Sequence, residues 1–145
     1  MAGLGNILRY VNSQPSASSA HLSAASRDNY LTLRRVERQQ RIVELLTTAG
    51  EPMTSGALAD RLGAGLRTIE RDLARLRDSG VPIETVAGAH GGSRIVANQQ
   101  PRPLTLTFAE TAALISSLTA LGPTATDSAE SAMRALVRSI AADGE

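Results

Sequence analysis

The chain has 145 residues, 42% of them apolar, with one Phe, two Tyr, no Trp and no Cys, so any core must be aliphatic. That composition argues against aromatic stacking platforms for single strands, against disulfide or thiolate chemistry and against cysteine-based metal sites, leaving His21 and His90 as the only imidazoles. The formal net charge of +1 hides a polarity: eleven arginines face eight carboxylates between residues 34 and 102, whereas two face five from residue 103 onward.

All fifteen basic side chains are arginine, so the choice of arginine over lysine is a property of the whole chain and only its placement carries information. No apolar run approaches the ~20 residues that span a bilayer, and Leu4–Val11 is too short and interrupted for a signal-peptide core. The expectation is a cytoplasmic protein without membrane contact. With no nucleophile–base pair, phosphate-binding Gly-Lys motif or metal cluster in the sequence, neither catalysis nor a cofactor is expected.

Leu4, Ile7, Leu8 and Val11 have the spacing of a short amphipathic turn. From Asn12 to Ala25 the chain is mostly Ser, Ala, Gln and Pro without apolar periodicity, so residues 1–33 read as a flexible leader. Leu33, Val36, Ile42, Leu45 and Leu46 then follow helical spacing, predicting a helix from Leu33 to Ala49 that Gly50 closes. Arginines 34, 35, 38 and 41 occupy its first half, as backbone contacts to nucleic acid or as a solvated face partly neutralised by Glu37 and Glu44; the solvated face is the reading adopted.

A second helix begins after Thr54 or Ser55, either of which can cap it, and runs to Leu62 with Leu58, Ala59 and Leu62 facing inward. Gly63 supplies the turn, and a third helix runs from Leu66 to Ser79, ended by Gly80 with Pro82 beyond. On a wheel of 100° per residue, Leu66, Ile69, Leu73 and Leu76 gather on one side; Arg67, Thr68, Arg71 and Arg75 gather about 165° away. This is the layout of a helix-turn-helix whose third helix reads DNA. Asp72 lies beside the packed face and is assigned a salt-bridge or helix-cap role.

Ile83–Ala87 and Ser93–Ala97 flank the glycine-rich stretch Gly88–Gly92 and predict a β-hairpin, the wing of a winged helix. Its glycines permit close backbone approach to a phosphate, and a loop of this length needs a positive φ in any case. Pro101 and Pro103 mark a linker, after which Thr107–Glu110 and Asp127–Glu130 read as capping boxes opening two more helices, to Leu121 and to Ala142.

The fold class expected is therefore mainly α with a small β-hairpin wing: residues 34–99 a winged helix-turn-helix, residues 100–145 a linker and helical hairpin. The hairpin's apolar stripes, Leu114, Ile115, Leu118 and Leu121 with Leu136, Val137 and Ile140, bury little in two helices alone and are the expected homodimer surface. Arg67, Thr68 and Arg71 on the first turns of the third helix, with Arg75 behind them, are the expected contacts to base edges in double-stranded DNA, since an arginine fork fits guanine O6 and N7. Thr54 and Ser55 offer hydroxyls and amides to a phosphate, and His90 and Arg94 are the wing's candidate backbone or minor-groove contacts. The competing reading is a winged-helix module that binds protein rather than DNA; the basic outward face of the third helix weighs against it.

From Arg35 to Leu121 the chain resembles the N-terminal part of WYL-domain bacterial transcriptional regulators, whose winged helix-turn-helix is of the DeoR-like type. The carriers are Arg38-Gln-Gln-Arg-Ile-Val-Glu-Leu-Leu46, Leu58-Ala-Asp-Arg-Leu-Gly63, Arg67-Thr-Ile-Glu-Arg-Asp-Leu73, Ser79-Gly-Val-Pro-Ile83, Gly91-Gly92 and Leu104-Thr-Leu-Thr107. The resemblance implies a dimeric transcriptional regulator on a palindromic operator. The sequence departs from the family's pattern at Gly65, where a Ser or Thr cap is usual, and at Ser93, where many members have Tyr. It also ends without a WYL domain, so ligand sensing is not among the expectations.

Overall fold

A computed structural model describes residues 17–97, 100–122 and 125–141, with side chains from residue 23 onward. Its elements are helix α1 (Ala17–Thr48), α2 (Ser55–Leu62) and α3 (Leu66–Asp78), strands β1 (Ile83–Val86) and β2 (Gly92–Ile95), then helices α4 (Phe108–Leu121) and α5 (Asp127–Ala141). The architecture is a winged helix-turn-helix followed by C-terminal helices. The amphipathic turn expected over Leu4–Val11 lies outside the described residues.

The first helix corrects the expected boundary, beginning at Ala17 rather than Leu33. Residues 17–32 lack an apolar stripe, yet they hold four alanines and neither Gly nor Pro, and alanine is the strongest intrinsic helix former. Periodicity reports burial, and a helical stretch whose side chains stay exposed, as those of residues 23–32 do, gives no periodic signal.

The chain divides into two compact units, Met1–Arg34 and Arg35–Glu145. Within the first, the described helical residues are mostly exposed, including Tyr30 and Leu31. The Arg34 guanidinium sits 5.4 Å from the Tyr30 ring centroid, and its Nε donates to the Tyr30 hydroxyl at 3.0 Å.

In the second unit the core is aliphatic. Ile42 and Leu46 of α1, Leu58 and Ala59 of α2, Ile69, Leu73 and Leu76 of α3, and Ile83 of β1 form one buried cluster with Met53. Leu66 departs from its expected place on the packed face: it is 51% exposed. As the first residue of α3 it lies at the edge of the packed layer, whereas Ile69 and Leu73, one and two turns on, are buried at 0% and 2% exposure.

Gly63 caps α2 in the left-handed conformation, φ 60° and ψ 37°, a region that costs an L-residue roughly 1–2 kcal/mol. The Ala64 N–H donates to the Ala59 carbonyl at 3.0 Å, closing the turn over a buried alanine. Gly65 then caps α3 with its backbone alone and no side-chain hydrogen bond, a weaker start than a Ser or Thr would give.

The wing pairs antiparallel in the register Ile83 with Ile95, Glu84 with Arg94, Thr85 with Ser93 and Val86 with Gly92. A further bridge joins Met53 to Ser93, each N–H donating to the other's carbonyl at 2.9 and 2.7 Å. The close approach allowed by Gly92 is to this backbone: a β-carbon there would lie 2.4 Å from the Met53 carbonyl carbon and oxygen. Its φ of 145° disfavours a side chain as well.

The Thr107–Glu110 capping box is present in full. The Thr107 backbone N–H and hydroxyl both donate to Glu110 Oε2, at 2.7 and 2.8 Å, and the backbone bond is the main cause that holds the Glu110 carboxyl below its ordinary value. The second box is corrected by one residue. Thr126, not Asp127, caps α5, accepting at its hydroxyl oxygen from the Ala129 N–H at 3.2 Å. Asp127 stands inside the first turn, where its charge favours the helix dipole without closing a box.

Candidate nucleic-acid interface

The third helix is amphipathic by sequence, and its packing fixes which arc faces outward. Ile69, Leu73 and Leu76 anchor one side to the core, so Arg67, Arg71 and Arg75 are exposed and Thr68 is half-buried. These four share the face opposite the packed one.

The three arginines differ in their bonding. Arg67 and Arg71 have no ion-pair or hydrogen-bond partner among the described residues, and neither Glu70 nor Asp78 closes on them. Arg75 lies 3.5 Å from Asp72 Oδ1 and is partly neutralised by it. Two unopposed forks thus stand on the first two turns of α3.

Asp72 is fully buried and carries the salt bridge expected of it. Its Oδ2 accepts from Arg38 Nε at 2.5 Å and its Oδ1 from Gln39 Nε2 at 3.0 Å. The carboxylate is satisfied on both oxygens by residues of α1, as a buried charge requires. Arg38 therefore departs from the solvated face read for arginines 34, 35, 38 and 41: it is drawn inward, 24% exposed, to balance a charge thirty-four positions away. Arg41 keeps to the surface with Glu37 at 2.9 Å.

At the start of α2, the Thr54 hydroxyl oxygen accepts from the Ala57 N–H at 3.1 Å, so its capping role is filled while its O–H remains able to donate outward. Ser55 follows, half-buried, in the first turn. In the wing, His90 is exposed near the tip, and Arg94 is held across the hairpin by Glu84 through both its Nε and a terminal nitrogen. The paired register placed those two side by side. The wing thus presents a neutralised arginine, an imidazole and glycine backbone, less charge than its sequence suggested.

A residue the sequence reading passed over is Arg77, in the last turn of α3. Its Nε donates to the Ile83 carbonyl at 3.1 Å, and one terminal nitrogen donates to Thr85 Oγ1 at 3.0 Å and Ser93 Oγ at 3.2 Å. No local signal marks it, because its partners lie on two strands that meet only in the fold.

The C-terminal helices α4 and α5 pack on each other. Of the seven residues expected to form a dimer surface, Leu114 and Val137 are 43% and 48% exposed, whereas Ile115, Leu118, Leu121, Leu136 and Ile140 are half-buried. Leu104 and Phe108, at 77% and 72% exposure, add apolar surface that the helical stripes did not include. They line an open groove of about 450 Å³ with Leu106, Leu136 and Ile140.

The start of α5 is tied to α1 by polar contacts. The Thr126 hydroxyl donates to Gln40 Oε1 at 3.0 Å, and the Ser128 N–H donates to Glu44 Oε1 at 2.9 Å. The Glu44 carboxyl is held below its ordinary value of 4.5, chiefly by hydrogen bonding from the Ser128 side chain; partial burial opposes this, and the Ser128 N–H, Thr126 and Arg41 assist. Glu44 therefore serves the neighbouring helix first, with Arg41 of its own helix contributing least.

Residues 38–92 match the family of the HTH domain. The match begins at the arginine that binds Asp72 and ends at the glycine that meets Met53. This region is a helix-turn-helix domain, a DNA-binding type. No solved structure matches the chain. No helix among the described residues is long and apolar enough to cross a membrane.

Proposed function

We propose that this protein is a transcriptional regulator that reads double-stranded DNA in a sequence-specific manner, as a homodimer, with α3 in the major groove. The observation that carries the reading is the pair Arg67 and Arg71: exposed, on the leading turns of a helix anchored by its opposite face, and free of any carboxylate among the described residues. A purely solvated helix face would pair Arg71 and Arg75 with Glu70, Asp72 or Asp78, and of these pairs the described residues hold Arg75 with Asp72 at 3.5 Å while Arg71 stays unpaired. Thr68 sits between Arg67 and Arg71, Arg75 extends the face, the Thr54 and Ser55 end of α2 offers donors to a phosphate, and His90 and Arg94 follow the flanking backbone. The resemblance to DeoR-like, WYL-domain regulators supports the same reading.

Binding to selected duplexes, followed by fluorescence anisotropy across a salt series, tests it. The wild-type protein is expected to lose affinity steeply with salt, and Arg67→Ala or Arg71→Ala to lose about 1–3 kcal/mol of discrimination at the contacted base. If both variants select and bind DNA like wild type, the assignment of α3 is wrong.

Dimerisation through α4 and α5 would place two α3 helices on half-sites one helical turn apart, or a multiple of it, on a palindromic operator. Leu114 and Val137 are the open apolar positions that support this, flanked by Leu118 and Ile140. Sedimentation of a Leu114→Asp, Val137→Asp double variant is expected to show a monomer; an unchanged dimer would place the interface elsewhere.

A further inference from the structure

A two-stranded hairpin is at best marginally stable alone, so a wing needs a tie to the body if it is to meet DNA at a fixed angle. Its base is set by the segment after α3, where the Val81 N–H donates to the Leu76 carbonyl at 3.0 Å, and by the Val96 N–H bond to Pro82, also at 3.0 Å. These contacts fix where the hairpin begins. Further along, the paired Met53–Ser93 backbone bonds tie β2 to the segment ahead of α2, and the hydrogen-bonded tie of β1 to α3 is left to a side chain.

Arg77 reaches that gap. Its three hydrogen bonds touch the backbone of β1 at Ile83, the side chain of β1 at Thr85 and the side chain of β2 at Ser93. Ser93 is itself buried and bridged to Met53 ahead of α2, so one guanidinium links α3, both strands and the entry to α2. The arginine's planar fork supplies donors in several directions at once, which a lysine ammonium on a flexible stem does not reproduce. Every acceptor is neutral, in contrast to Arg38 and Arg94, which are held by carboxylates. At the end of α3 the cation is favoured by the helix dipole instead.

We propose that Arg77 is a positioning residue: it holds the wing at the angle to α3 at which both elements engage one duplex, without itself contacting a base. This rests on the DNA-binding reading above and goes beyond it by giving one side chain, alongside the Met53–Ser93 bridge, a part in the wing's orientation. Thr85 is the acceptor best suited to isolate the effect, because it is exposed and can be altered without opening the core.

The test compares full-length wild type, Arg77→Lys, Thr85→Val and Thr85→Ser, by amide hydrogen exchange of the free protein and by hydroxyl-radical footprinting on a duplex selected by the wild type. Exchange at wing amides is expected to rise about tenfold in Arg77→Lys, less in Thr85→Val, and not at all in Thr85→Ser, which restores the hydroxyl; amides of α2 and α3 should be unchanged. On DNA, Arg77→Lys and Thr85→Val should lose the flanking protection given by the wing while keeping the central protection given by α3. Wing exchange unaltered in Arg77→Lys and Thr85→Val would overturn the proposal, as would joint loss of central and flanking protection in a folded Thr85→Val. A wild-type chain that protects no duplex overturns the function proposed above, and the exchange comparison then decides alone whether Arg77 holds the wing.

Discussion

The helix-turn-helix and the C-terminal hairpin are both made of short aliphatic helices, yet they bury their side chains to different depths. Around α3, Ile42, Leu58 and Ile69 are fully buried and Leu73 nearly so. In the hairpin the buried residues are Thr111 and Ala129, with Thr126 just ahead of α5, while Leu114, Val137 and Phe108 face outward. Three helices and a wing enclose a volume; two helices make only a seam. The first region puts most of its apolar side chains into its core, Leu66 and Val96 excepted, and the second leaves more of them open.

The largest effect that would sharpen this contrast is at Asp72. Asp72→Ala is expected to cost about 3–5 kcal/mol in chemical denaturation, because Arg38 and Gln39 lose the carboxylate that justifies their inward position. A loss below about 1 kcal/mol would show that the buried pair is worth no more than a surface one.

Next in size is a matched pair of truncations. Ile69→Ala should cost about 2–5 kcal/mol, the range for deleting a fully buried side chain. Leu114→Ala, at 43% exposure, should stay within about 0.5 kcal/mol under conditions that keep the protein monomeric. Equal losses would break the distinction between an enclosed core and an open seam.

A smaller effect tests the joint between the regions. Because the Glu44 carboxyl is held below 4.5 in the folded protein, its contribution is whole above that value and is lost as pH falls through the lower folded value. Glu44→Gln is expected to remove about 0.3–1 kcal/mol at neutral pH and to flatten that part of the acid limb, measured by denaturation at a series of pH values.

The smallest prediction has the opposite sign. Gly65→Ser should stabilise the domain by a few tenths of a kcal/mol, seen as a rise in Tm, because the backbone at φ −71°, ψ 148° already suits a capping residue. The added β-carbon would meet only Thr68 Oγ1 at 3.9 Å.

What could be read from the sequence was whatever has a local cause. The Gly63 turn, the basic arc of α3, the wing around its glycines and the Thr107–Glu110 box each depend on residues within one or two turns of one another. The reading failed where the cause is distant or has no period. The helix ahead of Leu33 carries no apolar period, the Met53–Ser93 bridge is a single pairing, and the partners of Asp72 and Arg77 lie on elements that only the fold brings together. Leu66 failed for a different reason: a wheel has no ends, whereas a helix does.

The joint at Gln40 and Glu44 has a consequence for how the molecule opens. Among the described residues the hairpin contributes none to the buried cluster around α3, and the joint carries two hydrogen bonds. Lifting the hairpin would thus leave that cluster closed, and such a step carries only a minor share of the heat-capacity increment. Calorimetry should register it as a shallow pre-transition ahead of one cooperative peak, with most of the curvature of the stability curve belonging to the helix-turn-helix.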